Sequence, residues 1–128
     1  MRKDYFSLNQ RGFTLIELVS VMIIMGVVAS VSIQKFDIVS GSANESALTA
    51  GIKELNVRES LVWSNMKISI DGYSNDEDLW GLMQTDMTGY GWGPGEPTRL
   101  GGGTLSFKTA SRSLTRQVST NSSAARWQ

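Results

Sequence analysis

The sequence predicts an α+β fold in which one long N-terminal α-helix, half membrane segment and half amphipathic, packs on a small antiparallel β-sheet head. Three observations lead there. An apolar run fills Phe13 to Ile33, and the polar sequence behind it keeps a helical apolar period with no Pro before Pro94. The C-terminal half then changes to short alternating stretches separated by Gly-rich turns.

The first segment, 1–12 (MRKDYFSLNQRG), is a polar leader carrying Arg2, Lys3 and Arg11 against Asp4. It lacks the apolar core and small-residue cleavage site of a secretory signal. The second segment, 13–33 (FTLIELVSVMIIMGVVASVSI), makes roughly 32 Å of helix at about 1.5 Å per residue, matching a bilayer core of about 30 Å. A transmembrane helix is expected. Its one charge is Glu17, and a carboxylate costs about 2.5 kcal/mol or more at the bilayer centre and less near an end, so it is expected where it has a partner. The basic leader places the N-terminus in the cytoplasm and the C-terminal part outside.

Residues 34–66 continue the helix in amphipathic form. Leu48, Ile52, Leu55, Val62 and Met66 recur at helical spacing with Glu59 in the remaining position, which predicts a face covering the core of the same domain. A helix from about Phe13 to about Met66 would be on the order of 80 Å long. Gly41 and Gly51 are its expected weak points or bends, since an interior Gly costs about 1 kcal/mol relative to Ala. Trp63 is expected to pack under the first strand.

Residues 67–128 form the β-rich head. Ile68 and Ile70 alternate with polar neighbours and predict a short extended piece closed by a turn at Asp71-Gly72. Ser74 to Glu77 and Asn75 to Asp78 both have capping spacing, so a short helix is expected from near Asp76. Residues 89–103 (GYGWGPGEPTRLGGG) predict a loop, with Tyr90 and Trp92 packing their rings over a turn. Leu105 and Phe107 alternate next, and Leu114 to Ser119 forms a second extended run joined through Ala110 to Ser113. That pattern predicts a hairpin followed by a small polar tail, which Trp127 can anchor to the sheet.

Composition removes most chemistry. The chain has 128 residues, which leaves about 95 outside the leader and membrane segment and room for one small core. It contains no Cys and no His, so thiol nucleophiles, disulfides and the usual zinc and imidazole chemistry are excluded, and no enzymatic activity is expected. The formal net charge is zero, which argues against nucleic acid as a partner. The glycines of 89–103 match neither the dinucleotide nor the phosphate-loop pattern. Arg99, Arg112, Arg116 and Arg126 are scattered, and a solvated face is expected for them. The acidic cluster Asp76, Glu77 and Asp78, with Asp71 and Asp86 nearby, offers oxygen ligands of the kind Ca²⁺ takes, Asp76 and Asp78 being the candidates. The spacing is not that of an EF-hand, and acidic residues opening a helix are already explained by its dipole, so no cofactor is expected.

The junction Gly12-Phe13-Thr14-Leu15-Ile16-Glu17-Leu18, the apolar run behind it and Gly26 resemble the leader region of the type IV prepilin and type II secretion pseudopilin family. The resemblance implies a pilin-like fold and a structural subunit of a type IV pilus or a type II secretion pseudopilus, polymerised through its N-terminal helix. It implies a prepilin peptidase that cuts between Gly12 and Phe13 and methylates the new amine of Phe13, with the membrane segment retained. That amine and Glu17 lie one helical turn apart, so they can partly neutralise each other in lipid, and Glu17 is expected to meet the amine of a neighbouring subunit during assembly.

Implied partners are the peptidase, other pilin or pseudopilin subunits, the assembly platform with its ATPase, and the membrane. The implied location is the bacterial inner membrane with the head exported, then the fibre. Many members have Pro where this chain has Gln34, and many major pilins close a C-terminal loop with a Cys pair that is missing here. Both departures favour a pseudopilin or minor pilin. An alternative is a membrane-anchored binding module at a fibre tip, contacting a surface, DNA or a secreted protein.

Overall fold

A computed structural model of the chain describes residues 12–128; the leader positions Met1 to Arg11 lie outside it. The chain divides into two units, one ending at Ile38 and one spanning Val39–Gln128. Helix α1 (Leu15–Ile68) belongs to both, α2 is Asp76–Leu82, and five short strands follow: β1 (Gly91–Trp92), β2 (Gly103–Phe107), β3 (Ala110–Leu114), β4 (Arg116–Gln117) and β5 (Arg126–Trp127). The fold is α+β, a long N-terminal helix with a small antiparallel head.

In the first unit, every side chain from Phe13 to Ile33 is exposed, and α1 is the one helix among the described residues long and apolar enough to cross a membrane. Its serines turn inward to the helix. Ser20, Ser30 and Ser32 donate their hydroxyls to the carbonyls of Ile16, Val27 and Val28, all at 2.8 Å. A hydroxyl satisfied by its own helix places no unpaired polar group in hydrocarbon.

In the second unit, the predicted stripe splits. Leu48, Leu55 and Glu59 are fully buried, whereas Ile52, Val62 and Met66 are half-buried. Leu48 and Leu55 join Met87, Leu105, Leu114 and Trp127 in one core, flanked by Trp80, Tyr90, Trp92 and Phe107. Gly51 is not a bend. A Cβ there would lie 2.6 Å from Cε1 of Tyr90, whose hydroxyl donates to the Ala47 carbonyl at 2.7 Å, so the missing side chain lets the ring lie against the helix.

Several expectations for the head need correction. The Ile68–Ile70 piece is not a strand: α1 runs to Ile68, the Ser69 N–H continues the ladder to the Asn65 carbonyl, and the chain turns at Gly72, which has φ 69°. No neighbouring strand was available to pair with it, and Ile68 and Ile70 stay exposed. Helix α2 begins as expected, with Asn75 as the cap that accepts the Asp78 N–H.

The 89–103 segment is not wholly loop. It contributes β1 and the first residue of β2, with Trp92 paired to Leu105. The hairpin is one element earlier than the alternation suggested. Ala110–Leu114 is the second strand itself, entered by a two-residue turn at Lys108 and Thr109, with Lys108 at φ 52°. Gly102 permits the return, because at φ 70° a Cβ would meet the Leu114 carbonyl oxygen.

The run after Leu114 leaves that sheet. β4 pairs with β5, Arg116 opposite Trp127, and Thr115 exchanges both backbone hydrogen bonds with Gln128. Asn56 of α1 clamps the other edge of β5, its amide oxygen accepting the Trp127 N–H at 2.8 Å and its Nδ2 donating to the Trp127 carbonyl at 3.0 Å. Trp127 thus anchors the end of the tail in the core, while Thr120 to Ser123 stay exposed. Trp63 reaches the connection before β5 and donates to the Thr120 carbonyl, instead of packing under a first strand.

A buried ionic cluster ties these elements together. Arg116 is not on a solvated face: its side chain has no exposure, and it meets the equally buried Glu59 of α1 at 2.6 Å and Asp76 of α2 at 3.0 Å. Asp76 also accepts from Arg99 and from the N–H and hydroxyl of Ser119, and Glu59 accepts the Trp127 indole N–H. The guanidinium lies 4.9 Å from the Trp80 ring centroid. Every donor direction has a partner, which is what makes burial of these charges tolerable.

Burial raises the affinity of Asp76 for its proton, but the hydrogen bonds from Arg116, Ser119 and Arg99 outweigh it and hold the carboxyl well below its ordinary 3.8. The unfolded chain thus binds more protons than the folded one as pH falls through that value, so the stabilisation is complete above about pH 5 and is lost progressively below 3.8. Thermal denaturation across pH 2 to 7 is expected to show that fall, and Asp76→Asn to flatten it. Arg116→Met leaves the buried Glu59 without a cationic partner and Asp76 with Arg99 alone, and is expected to destabilise the head by about 3–5 kcal/mol in urea titration. Gly51→Val, by driving Tyr90 off the helix, is expected to cost about 1–3 kcal/mol in the same assay.

Candidate functional site

The candidate site is the start of α1. Gly12 and Phe13 precede the helix and are exposed, Phe13 by 87%, and a Cβ placed on Gly12 would meet nothing within 4 Å. The peptide bond between them stands clear of the described residues.

Thr14 is the helix cap. Its carbonyl accepts the first helical N–H, from Leu18 at 3.1 Å, and its hydroxyl accepts the Glu17 N–H at 3.3 Å. Glu17 reaches back: Oε2 accepts the Thr14 N–H and the Thr14 hydroxyl, each at 2.8 Å. Thr14-Leu15-Ile16-Glu17 is a capping box, in which two orphan donors of the first turn are satisfied reciprocally.

This changes the reading of Glu17. Before cleavage Phe13 carries an amide nitrogen, not an amine, and the partner of the carboxylate is Thr14. Oε1 takes no hydrogen bond from the described residues, which leaves it open for a further donor. A carboxylate near the helix N-terminus is also favoured by the helix dipole, by about 0.3–1 kcal/mol in exposed sites. The Ser/Thr-x-x-Glu spacing of Thr14 and Glu17 is present in the sequence and is the signal for this cap.

The other candidates lie in the head. Both oxygens of Asp76 are taken by Arg116, Arg99 and Ser119. Oδ2 of Asp78 accepts from Ser74 and Asn75. Among the described residues no group of three or more acidic side chains is placed to hold a metal ion. The structure employs these carboxylates as an ion-pair partner and a helix-capping group. Tyr90 and Trp92 pack as rings, Tyr90 on Phe107 at 5.1 Å and Trp92 on Trp127 at 5.5 Å between centroids. Of the remaining arginines, Arg112 pairs with Glu45 at 2.7 Å.

Residues 7–33 match the family model described as the prokaryotic N-terminal methylation motif. Comparisons with curated proteins and with solved structures gave no significant match. The matched segment contains every residue of the site: Gly12, Phe13, Thr14 and Glu17.

The capping box separates two roles of Glu17 that a single substitution would confuse. Thr14→Val removes the cap and is expected to cost the first turn about 1 kcal/mol, visible as faster amide hydrogen exchange at residues 15–18 in detergent micelles. Glu17→Gln keeps an acceptor for the Thr14 N–H while removing the charge, so exchange there is expected to stay near the parent rate.

Proposed function

We propose that the chain, which carries the prokaryotic N-terminal methylation motif on a membrane-length helix, is a type IV pilin-like precursor and a structural subunit of a type IV pilus or type II secretion pseudopilus. The match at residues 7–33 is the observation that carries this reading. A prepilin peptidase cuts between Gly12 and Phe13 at the cytoplasmic face and methylates the freed amine. The helix stays in the inner membrane, with the head outside, until the subunit is drawn into the fibre by the assembly platform and its ATPase.

The site geometry supports a sequence of partners for Glu17. In the precursor its charge is held by Thr14, so the segment enters the bilayer without an unpaired carboxylate. Cleavage then supplies an amine one turn away, and the open Oε1 is available to it or to the amine of a neighbouring copy. In a packed, water-poor helix bundle an opposite charge is attracted far more strongly than in water, so pairing favours one register over its neighbours. Apolar helix surface moves from lipid to other helices at little net change, which leaves packing and this charge to determine the register.

Gln34 and the absence of a Cys pair support a pseudopilin or minor pilin over a major one.

Two measurements test the proposal. Intact mass of the membrane-extracted protein is expected to show loss of Met1 to Gly12 with one added methyl group; an intact leader would overturn it. Glu17→Gln is expected to be cleaved normally yet depleted from sheared fibres at least tenfold, and fibres of ordinary abundance from that variant would remove the charge-pairing role.

A further inference from the structure

Two stretches of the chain carry the Asn-x-Ser/Thr acceptor pattern for N-linked glycans: Asn44-Glu45-Ser46 and Asn121-Ser122-Ser123. The pattern alone treats them equally. The structure separates them. Asn44 lies within α1, is 6% exposed, and spends its Nδ2 on the Thr109 hydroxyl at 3.0 Å. A transferase would have to unwind the helix and break the Asn44 contact to reach it.

Asn121 has the opposite setting. It sits in the turn between β4 and β5, where Thr120, Asn121, Ser122 and Ser123 are all exposed. Backbone bonds between Thr120 and Ser123, in both directions, close the base of the turn and hold its tip out. Lys67, at the end of α1, donates its ammonium to Oδ1 of Asn121 at 2.7 Å and to the Asn121 carbonyl at 3.0 Å. An ammonium can only donate, so the carboxamide oxygen must face it. Nδ2 is thereby turned to the other side, where no described residue accepts from it.

We propose that Asn121 is an acceptor site for an N-linked glycan on the exported head. The donor is an oligosaccharide carried on a polyisoprenyl diphosphate, brought to the turn by a membrane oligosaccharyltransferase. Nδ2 attacks the anomeric carbon; the N–C bond forms as the C–O bond to the diphosphate breaks. One amide proton passes to a base on the transferase, and the lipid diphosphate leaves. No oxidant or reductant is involved. Ser123 supplies the third-position hydroxyl of the acceptor pattern, and Lys67 is a positioning residue that presents the amide with its nitrogen outward.

The inference rests on the proposed export of the head, and the test separates the two. Full-length protein is purified from membranes of the cells that make it, digested with trypsin, and the peptide 117–126 is analysed by mass spectrometry. A saccharide increment on Asn121 is expected, lost in Asn121→Gln and in Ser123→Ala but retained in Asn44→Gln and Ser122→Ala. Lys67→Met is expected to lower occupancy several-fold, with recovery in Lys67→Arg. A bare Asn121, or a saccharide that survives Asn121→Gln, overturns the proposal.

The chain has no Cys, so Ser111→Cys on the exposed face of β3 gives a single label site for a membrane-impermeant maleimide applied to intact cells with a permeable outer layer. Labelling together with a bare Asn121 defeats the glycan site alone. Absence of labelling defeats export, and the glycan site with it.

Discussion

The head depends on Arg116. Its guanidinium sits between Glu59 of the long helix and Asp76 of the short one, with the Trp80 ring against it and the Trp127 indole bonded to the same glutamate. The long helix, the short helix and the β4–β5 pair each contribute to this cluster. A buried ion pair is weak evidence for net stability, since apolar residues of similar shape can do as well. What it contributes here is selection: the cluster is satisfied in one arrangement of the elements, and any other leaves a buried charge without a partner.

The N-terminal unit follows a different rule. Nothing in the described structure covers Phe13 to Ile33, and the polar groups it carries are bonded within the helix itself, by serine back-bonding and by the capping box. A segment built this way tolerates lipid and tolerates the surface of another apolar helix about equally. A move from lipid to a neighbouring apolar helix therefore changes its free energy little.

Much of this was legible in the sequence. The α+β class, the long helix, the cap at Asn75 and the packing rather than ligand role of Tyr90 and Trp92 follow from periodicity and turn chemistry. The strands were less so, because residues 103–117 alternate weakly and a two-residue turn at Lys108 and Thr109 has no Gly or Asn-Gly signal to announce it. Ile68 and Ile70 look like a strand locally, and only the absence of a pairing edge decides otherwise. The ionic cluster was invisible for a simpler reason: Glu59, Asp76, Arg99 and Arg116 are distant in the chain, and a scattered charge reads as solvated until the topology brings its partners together. The Thr14 cap is legible from its spacing to Glu17, but the same glutamate also reads as a lone charge in an apolar run, which masks it.

The seat of β5 also sets an order of events. Trp127 fills the core and its backbone is clamped by Asn56, so the head cannot close until β5 has been delivered. By then the apolar segment, more than ninety residues earlier, has long since left the ribosome. The head therefore closes only after the apolar segment has been made. Trp127 acts as a timer, deferring closure of the core until β5 is present.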